Sequence, residues 1–447
     1  MPWQKLLRFG MLFTARIAGA ASLFAVNLLI VRFLGIEALG NFAVFVSLTS
    51  IIAVILASGF TAIAPVLAAE YSAKQQQGLL KGFVITAVKQ GAVLFSLIAA
   101  GFLAFWYSGA EIPFLENHSA GLAMLVTAIA SAFVGFNGAV LIGMKKQIAG
   151  TVPETFFRPI SFLLLSTVLM ASGFVADIDG VYWLLAASTW ITLLFVLFRD
   201  RKLRDQYSEI QQIRDQNRWR KASFPWMGIT LLWDFMIDLV LLLTSLLAGS
   251  VEIAILHICF RYRVLAGFGM RTLHNLMMPE ITEETVSGNR SGIQKKLFQL
   301  NVTSLVYSMG VLACFATFGG LLLGMFSASA VGAVSVLLTI SATMIVRAIF
   351  GPAPMILAIH GFHMITLITS LICSAAALAF VWATFGQFGI MAAAVGYTGA
   401  NVLISSILWR ITLKKTGIDC SVFSGVKNLL ARFIRTSSNK QLPVSNS

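Results

Sequence analysis

Residues 119–146 read SAGLAMLVTAIASAFVGFNGAVLIGMKK, a long run without a charged side chain that ends on Lys145 and Lys146. A helix needs about 20 apolar residues to cross the hydrocarbon core of a bilayer, so this run is long enough. Lys and Arg collect at the cytoplasmic ends of such helices. The stretch therefore predicts a transmembrane helix whose C-terminal end faces the cytoplasm.

The same pattern recurs along the whole chain. Of its 447 residues 58% are hydrophobic and only 11% are charged, whereas soluble domains are about 25% charged. A soluble fold of this composition could not cover its apolar surface, so lipid must be the main solvent. Twelve apolar runs are predicted to span the membrane: 12–33, 42–67, 83–107, 119–142, 148–173, 180–198, 223–248, 252–278, 297–325, 328–351, 361–383 and 388–409.

The basic residues orient these spans. With the N-terminus placed in the cytoplasm, the inside segments hold 24 of the 32 Lys and Arg residues, the outside loops hold none, and the other 8 lie within spans. This asymmetry follows the positive-inside rule. We therefore expect an all-α integral membrane protein with both termini in the cytoplasm. Its net charge of +14 indicates topology and an anionic ligand rather than nucleic acid.

A weak internal repeat has an offset of 214 residues. Its pairs occupy equivalent places in the two halves, and they are Gly35 with Gly249, Pro65 with Pro279, Glu70 with Glu284, Gly78 with Gly292, and Lys81 with Lys295. An offset of six spans gives both halves the same orientation. The repeat predicts two six-helix bundles, 1–198 and 223–411, related as parallel repeats, which is a transporter architecture. The segment 199–222 is interpreted as a solvated cytoplasmic linker, helical with an apolar stripe, and 412–447 as a basic cytoplasmic tail.

Local patterns in both halves carry a resemblance to a known family. The first is RFLGIEALG at 32–40, and the second runs from Glu252 through Arg261 to a Pro279-Glu280-Ile281 segment and on to Gln294-Lys295-Lys296-Leu297. In this order they resemble the polysaccharide (Wzx-like) flippase family of the multidrug/oligosaccharidyl-lipid/polysaccharide exporter superfamily. The loop TEET at 282–285 departs from that pattern because it is more acidic.

The resemblance implies a flippase in the bacterial inner membrane. Such a protein moves an undecaprenyl-pyrophosphate-linked oligosaccharide from the cytoplasmic to the periplasmic leaflet, for O-antigen, capsule or exopolysaccharide synthesis. The expected partners are this anionic lipid-linked oligosaccharide and membrane lipid, with a polysaccharide polymerase and glycosyltransferases possible and nucleic acid excluded. No cofactor is expected.

Basic residues at membrane depth are candidates for substrate binding, because ionisable groups within a span are costly and usually functional. Arg158, Arg261, Arg263 and Arg271 are predicted to line a cationic cavity for the pyrophosphate, whose oxygens a guanidinium binds in bidentate fashion. Only Arg261 is supported by the family pattern. The alternative is that these arginines form structural ion pairs between helices.

Three acidic residues within spans are candidates for ion coupling. Asp234 and Asp238 have the i, i+4 spacing that places them on one face of a continuous helix, where two carboxylates perturb each other. Simple pairing with Arg261 or Arg263 is the alternative. Glu154 lies between Pro153 and Pro159, which predicts either a broken helix or a plain kink.

The function classes are weighed on what the sequence contains. It has no phosphate-binding loop, nucleophile elbow, zinc motif or large outside loop, so no enzyme and no metal site are expected. A multidrug-type cation/H⁺ antiporter of the same superfamily remains the alternative to the flippase. Organic cations prefer acidic sites, whereas these spans hold eight basic and three acidic residues.

Overall fold

The computed structural model describes residues 2–108, 117–286 and 289–423, and in these ranges the chain is helical without strands. Eleven of its helices are long and apolar enough to cross a membrane, and a bent pair adds a twelfth span. The predicted fold class and number of spans are thereby confirmed. Most of the predicted tail, from residue 424 on, lies outside the described residues.

The chain divides into two compact units. Unit 1 comprises Met1–Ile258 with Met325–Ala328, and unit 2 comprises Cys259–Gly324 with Ser329–Ser447. Because these units follow packing and not the sequence repeat, the bundle limits 1–198 and 223–411 stay predictions.

Unit 1 holds the first seven spans. Its helices are α1 Pro2–Leu34, α2 Ile36–Ala57, α3 Phe60–Ala73, α4 Gln77–Ser108, α5 His118–Gly143, α6 Gln147–Val152, α7 Arg158–Ala171, α8 Ile178–Arg199, α9 Arg201–Ser208, α10 Gln216–Trp233, α11 Met236–Ser245 and the start of α12, Ser250–Val286. A buried cluster that includes Phe60, Phe83, Phe136 and Trp219 joins α3, α4, α5 and α10.

Unit 2 holds the rest of α12 and the last four spans. Its other helices are α13 Arg290–Gly324, α14 Val334–Phe350, α15 Ala353–Ile359, α16 His363–Phe388 and α17 Ile390–Thr416, with a 3-10 helix at Ala328–Ala333. Helix α14 packs against both α13 and α17. Small polar side chains such as Ser308 and Ser341 are fully buried within unit 2, as is common where membrane helices approach closely.

The second span is not the continuous helix predicted for 42–67. It begins at Ile36, stops at Ala57 and resumes as α3, because Ser58 and Gly59 both have left-handed φ angles of 50° and 75°. A side chain at Gly59 would overlap the carbonyl oxygen of Ser223. The glycine therefore supplies both the break and the close approach of α10.

The fifth span contains a π-helix at Pro153–Phe157, between α6 and α7. Pro159 has no N–H to donate to the carbonyl of Thr155, four residues earlier. That carbonyl lies against Gly19 of α1, where a side chain would overlap it. The two prolines flank a π-bulge inside one span rather than a full break, and such bulges often occur at functional sites.

The seventh span is broken, and the prediction of one helical face for Asp234 and Asp238 is wrong. Helix α10 ends at Trp233 and α11 starts at Met236, with a 63° bend between them. Asp234 is the C-terminal cap of α10, whereas Asp238 lies in the first turn of α11. A carboxylate in a first turn is favoured by the helix dipole.

The connector 199–222 has mostly exposed side chains, but its backbone is docked on unit 1; its role as a cytoplasmic linker stays a prediction. Its helix α9 ends at Ser208, before Ile210 and Ile213 of the predicted apolar stripe. The Ile213 N–H donates to the Gly78 carbonyl at 3.1 Å, and Lys81 Nζ donates to the Ile210 carbonyl at 2.9 Å. The backbone groups of the connector thus obtain partners from the start of α4, which sequence periodicity could not reveal.

Candidate functional site

Arg158 and Glu154 lie side by side along the fifth span, against α5 in unit 1. The two helices run close together because Gly138 and Gly150 meet with almost no side-chain volume between them. One guanidinium nitrogen of Arg158 lies 3.3 Å from the Ser131 hydroxyl. Glu154 Oε2 lies 3.9 Å from where a β-carbon on Gly135 would be. The fold therefore places the basic side chain of Arg158 and the acidic side chain of Glu154 along the same strip of α5.

Glu154 is exposed, and no hydrogen bond or ion pair engages its carboxylate among the described residues. Its neighbour Arg158 is half-buried and bonded to a neutral hydroxyl. An ionised carboxylate at membrane depth is unfavourable unless a cation, a proton or water compensates it. A role of Glu154 in ion coupling stays a prediction.

Asp234 and Asp238 flank the 63° break of the seventh span. Asp234 is exposed, Asp238 is half-buried, and both have interaction partners. A helix break frees backbone groups, which membrane proteins tolerate where those groups are buried in protein or line a cavity. The two carboxylates therefore lie on either side of the helix break and do not share one helical face.

Arg263 is buried inside unit 2, with 8% of its surface exposed. Its Nε lies 3.4 Å from the Thr343 hydroxyl of α14, and its guanidinium carbon lies 6.0 Å from the centre of the Tyr397 ring on α17. The ring face attracts the cation, so Arg263 holds three helices of one unit together. Helix packing by this arginine is thus visible, whereas contact with substrate remains a prediction.

Arg261 and Arg271 lie on the same helix as Arg263 but in different surroundings. Arg261 is half-buried and has an interaction partner, and Arg271 is exposed. Of the four predicted arginines, Arg158 belongs to unit 1 and the other three belong to unit 2. Their joint lining of a cationic cavity remains a prediction.

Sequence reasoning missed a polar network that surrounds Tyr397. The Arg347 guanidinium donates to Asn401 Oδ1 at 3.0 Å and 3.3 Å, and Asn401 donates to the Tyr397 carbonyl at 2.9 Å. Arg263 and Arg347 therefore converge on residues 397–401 of α17. An asparagine within an apolar span was the signal that could have indicated this network. No group of three or more metal-ligating side chains occurs in the described ranges.

Comparisons with known proteins give structural likeness only. No model of a known protein family matches the sequence, and no curated protein matches it. The inward-facing conformation of a multidrug resistance MATE family transporter of the MOP superfamily is 15% identical, with a TM-score of 0.72, over 89% of this chain and 96% of that chain.

Two further solved structures give similar results. MATE in the straight conformation is 14% identical, with a TM-score of 0.66, over 92% of this chain and 95% of that chain. A MOP superfamily transporter from Pyrococcus furiosus Vc1, described as having a binding pocket of reverse polarity that suggests a different function, has a TM-score of 0.59 at 15% identity over 90% and 94%. The chain thus has the fold of MATE transporters.

Proposed function

We propose that the protein is a secondary transporter that works by alternating access. The observation that carries the proposal is the likeness in fold, which extends over about nine-tenths of this chain and of each solved transporter. The broken second and seventh spans and the π-helix of the fifth span support it, because breaks of this kind mark sites within membrane helices.

A multidrug-type cation/H⁺ antiporter is the kind of transporter that the structural neighbours favour, since one of them is described as a multidrug resistance transporter. The exposed carboxylates Glu154 and Asp234 support it, because acidic groups at membrane depth bind protons and organic cations. This was the alternative in the sequence analysis, and the comparisons support it better than the flippase.

A flippase for an anionic lipid-linked oligosaccharide is the second candidate. The observations that favour it are the eight basic residues against three acidic ones within the predicted spans and the Wzx-like motifs around Arg32 and Arg261. A fold shared with a transporter described as having reversed pocket polarity is compatible with such a charge balance.

One reconstitution experiment separates the two substrates. Purified protein in liposomes is tested for efflux of a cationic dye driven by a pH gradient. In parallel it is tested for flipping of fluorescent undecaprenyl-pyrophosphate-oligosaccharide, read by a quencher that reaches one leaflet only. Dye efflux without flipping supports the antiporter, and flipping without efflux supports the flippase. If the protein shows neither dye efflux nor flipping with a broad set of dyes and lipid-linked oligosaccharides, the transporter proposal is contradicted.

Arg261→Gln tests the cationic cavity in whichever assay is active. If Arg261 contacts an anionic substrate, the variant inserts normally and its flipping rate falls at least tenfold, because a guanidinium–phosphate contact is lost. Lys295→Gln, an exposed position outside the predicted cavity, is the comparison variant. Normal flipping by correctly inserted Arg261→Gln protein removes this residue from the substrate path.

A further inference from the structure

The connector 199–222 is a fixed part of unit 1, and this gives its charges a fixed position. Besides the bonds at Gly78 and Lys81, the fully buried Trp219 donates its indole N–H to the Tyr71 hydroxyl at 2.8 Å. Arg199 donates to the Ala149 carbonyl at 2.9 Å. The connector is therefore anchored to residues on both sides of the turn at 74–76 and to Ala149, which follows the turn at 144–147.

We call residues 199–221 of the connector, together with residues 70–89 and 145–146 around these two turns, the connector face. It holds thirteen basic and five acidic residues, which is a large share of the net charge of +14. At least two of the acidic residues are already engaged. Glu70 bonds to Lys74 at 2.8 Å and Arg218 at 3.2 Å, and Asp200 bonds to Arg199 at 2.8 Å.

The engaged acids keep their charge and their partners. The hydrogen bond from Lys74 lowers the pKa of Glu70. Burial raises the pKa of Asp200, but hydrogen bonds from Arg199 and Asn137 outweigh it and leave that pKa below its ordinary value. These carboxylates are consequently not available to the remaining cations of the face.

Several basic side chains on the connector face are exposed and have no hydrogen bond or ion pair with the described side chains. They are Lys145, Arg201, Lys202, Arg214 and Lys221. Such a concentration of fixed positive charge attracts anions from the surroundings.

Exposed aromatic residues place these cations relative to the bilayer. Phe198, directly before Arg199, is 80% exposed, and Phe224, three residues after Lys221, is 71% exposed. Both belong to membrane-spanning helices, α8 and α10, so they contact the acyl region. Cations that lie next to exposed apolar side chains at the ends of spans lie at the level of lipid headgroups.

We propose that the connector face binds the headgroups of anionic phospholipids in the adjoining leaflet. The five cations without a partner among the described residues supply the charge, the docked backbone holds them in place, and Phe198 and Phe224 set their depth. Clusters of Lys and Arg directly beside a transmembrane helix bind anionic lipid in this way. An acidic protein partner would not need the flanking exposed aromatic residues.

The test uses the full chain in vesicles of phosphatidylcholine containing spin-labelled phosphatidylglycerol or spin-labelled phosphatidylcholine. The motionally restricted fraction of each label measures the selectivity of the protein for the anionic lipid. We expect a several-fold preference for phosphatidylglycerol, which about 0.5 M NaCl largely removes because salt screens exposed charges. The variant R201Q/K202Q/R214Q/K221Q should lose at least half of this preference.

The matched control is K295Q/R410Q/K414Q/K415Q, which removes the same charge from exposed positions of unit 2. It should lose clearly less of the preference than the connector variant does. If the quadruple connector variant does not insert into the membrane, R214Q/K221Q replaces it. This double variant should lose a smaller but measurable share of the preference for phosphatidylglycerol. Equal selectivity for both lipids in the wild type, an unchanged connector variant, or an equal loss in the control overturns the proposal.

Discussion

At the scale of single residues, Trp219 shows how one side chain fixes the connector to unit 1. It is fully buried, its indole bonds to Tyr71, and its ring meets Phe83 edge to face at 5.8 Å between centroids. Truncating a buried aromatic residue removes its transfer free energy and leaves a cavity. We predict that Trp219→Ala lowers the free energy of unfolding by about 3–5 kcal/mol, measured by denaturation in detergent micelles.

The comparison variants separate packing from hydrogen bonding at this site. Tyr71→Phe removes only the acceptor and leaves the buried indole N–H of Trp219 without a partner, so it should cost about 1–3 kcal/mol. If Trp219→Ala lowers the free energy of unfolding by less than about 1 kcal/mol, the connector is not held by this side chain.

The three acidic residues of the spans differ in surroundings, and this leads to a prediction about pH dependence. Among the described residues Glu154 has no partner, whereas Asp234 and Asp238 each have one. A carboxylate at membrane depth without a partner is the one that most needs compensation by a bound cation or proton. Glu154→Gln is therefore expected to flatten the pH dependence of transport, and D234N/D238N to retain most of it. Initial rates of transport in liposomes, measured over a series of pH values, check this.

The opposite result has a clear meaning. If D234N/D238N flattens the profile and Glu154→Gln keeps it, proton coupling resides at the break of the seventh span. The role of the π-helix would then be structural.

At the scale of elements, the start of α4 is shaped to receive the connector. A β-carbon on Gly82 would overlap the carbonyl oxygen of Ile213, whereas one on Gly101 of the same helix meets nothing. We predict that Gly82→Val displaces the connector and speeds deuterium uptake at residues 209–219 at least tenfold, because its backbone hydrogen bonds open. Gly101→Ala should leave the uptake unchanged.

Unchanged uptake in Gly82→Val would show that the connector tolerates a side chain there and is held by Trp219 alone.

In the sequence, Gly78 and Lys81 stand out only as members of a repeat. Their partners come from residues about 130 positions later, and a pattern of local spacing contains no information on such pairs.

At the scale of the whole molecule, the distribution of basic residues predicts the orientation in the membrane. With 24 Lys and Arg residues on one side and none in the opposite loops, both termini should be cytoplasmic. Reporter fusions test this. A fluorescent protein should be active when inserted after Gln75, Lys145 or Gln211, and alkaline phosphatase should be active after Gly173. Phosphatase activity at Lys145 would reverse the orientation.

The sequence by itself determined the class of fold and the number of spans. Both depend on the cost of placing backbone and charge in hydrocarbon, which acts on each stretch of about 20 residues independently of the rest. For this reason each predicted span overlaps a helix, or a broken pair of helices, of the structure. It also identified Pro153 and Pro159 as a source of irregularity, because a missing N–H is a property of the residue alone.

Only the tertiary structure decided where helices break and which polar groups meet. The second span breaks where Gly59 admits the backbone of α10, and the seventh span breaks between two aspartates that a continuous helix would have aligned. The contacts of Arg263 with Tyr397 and of the connector with α4 join residues that are far apart in the chain. Such contacts depend on the packing of whole helices, whereas hydropathy and spacing report only on neighbours along the chain.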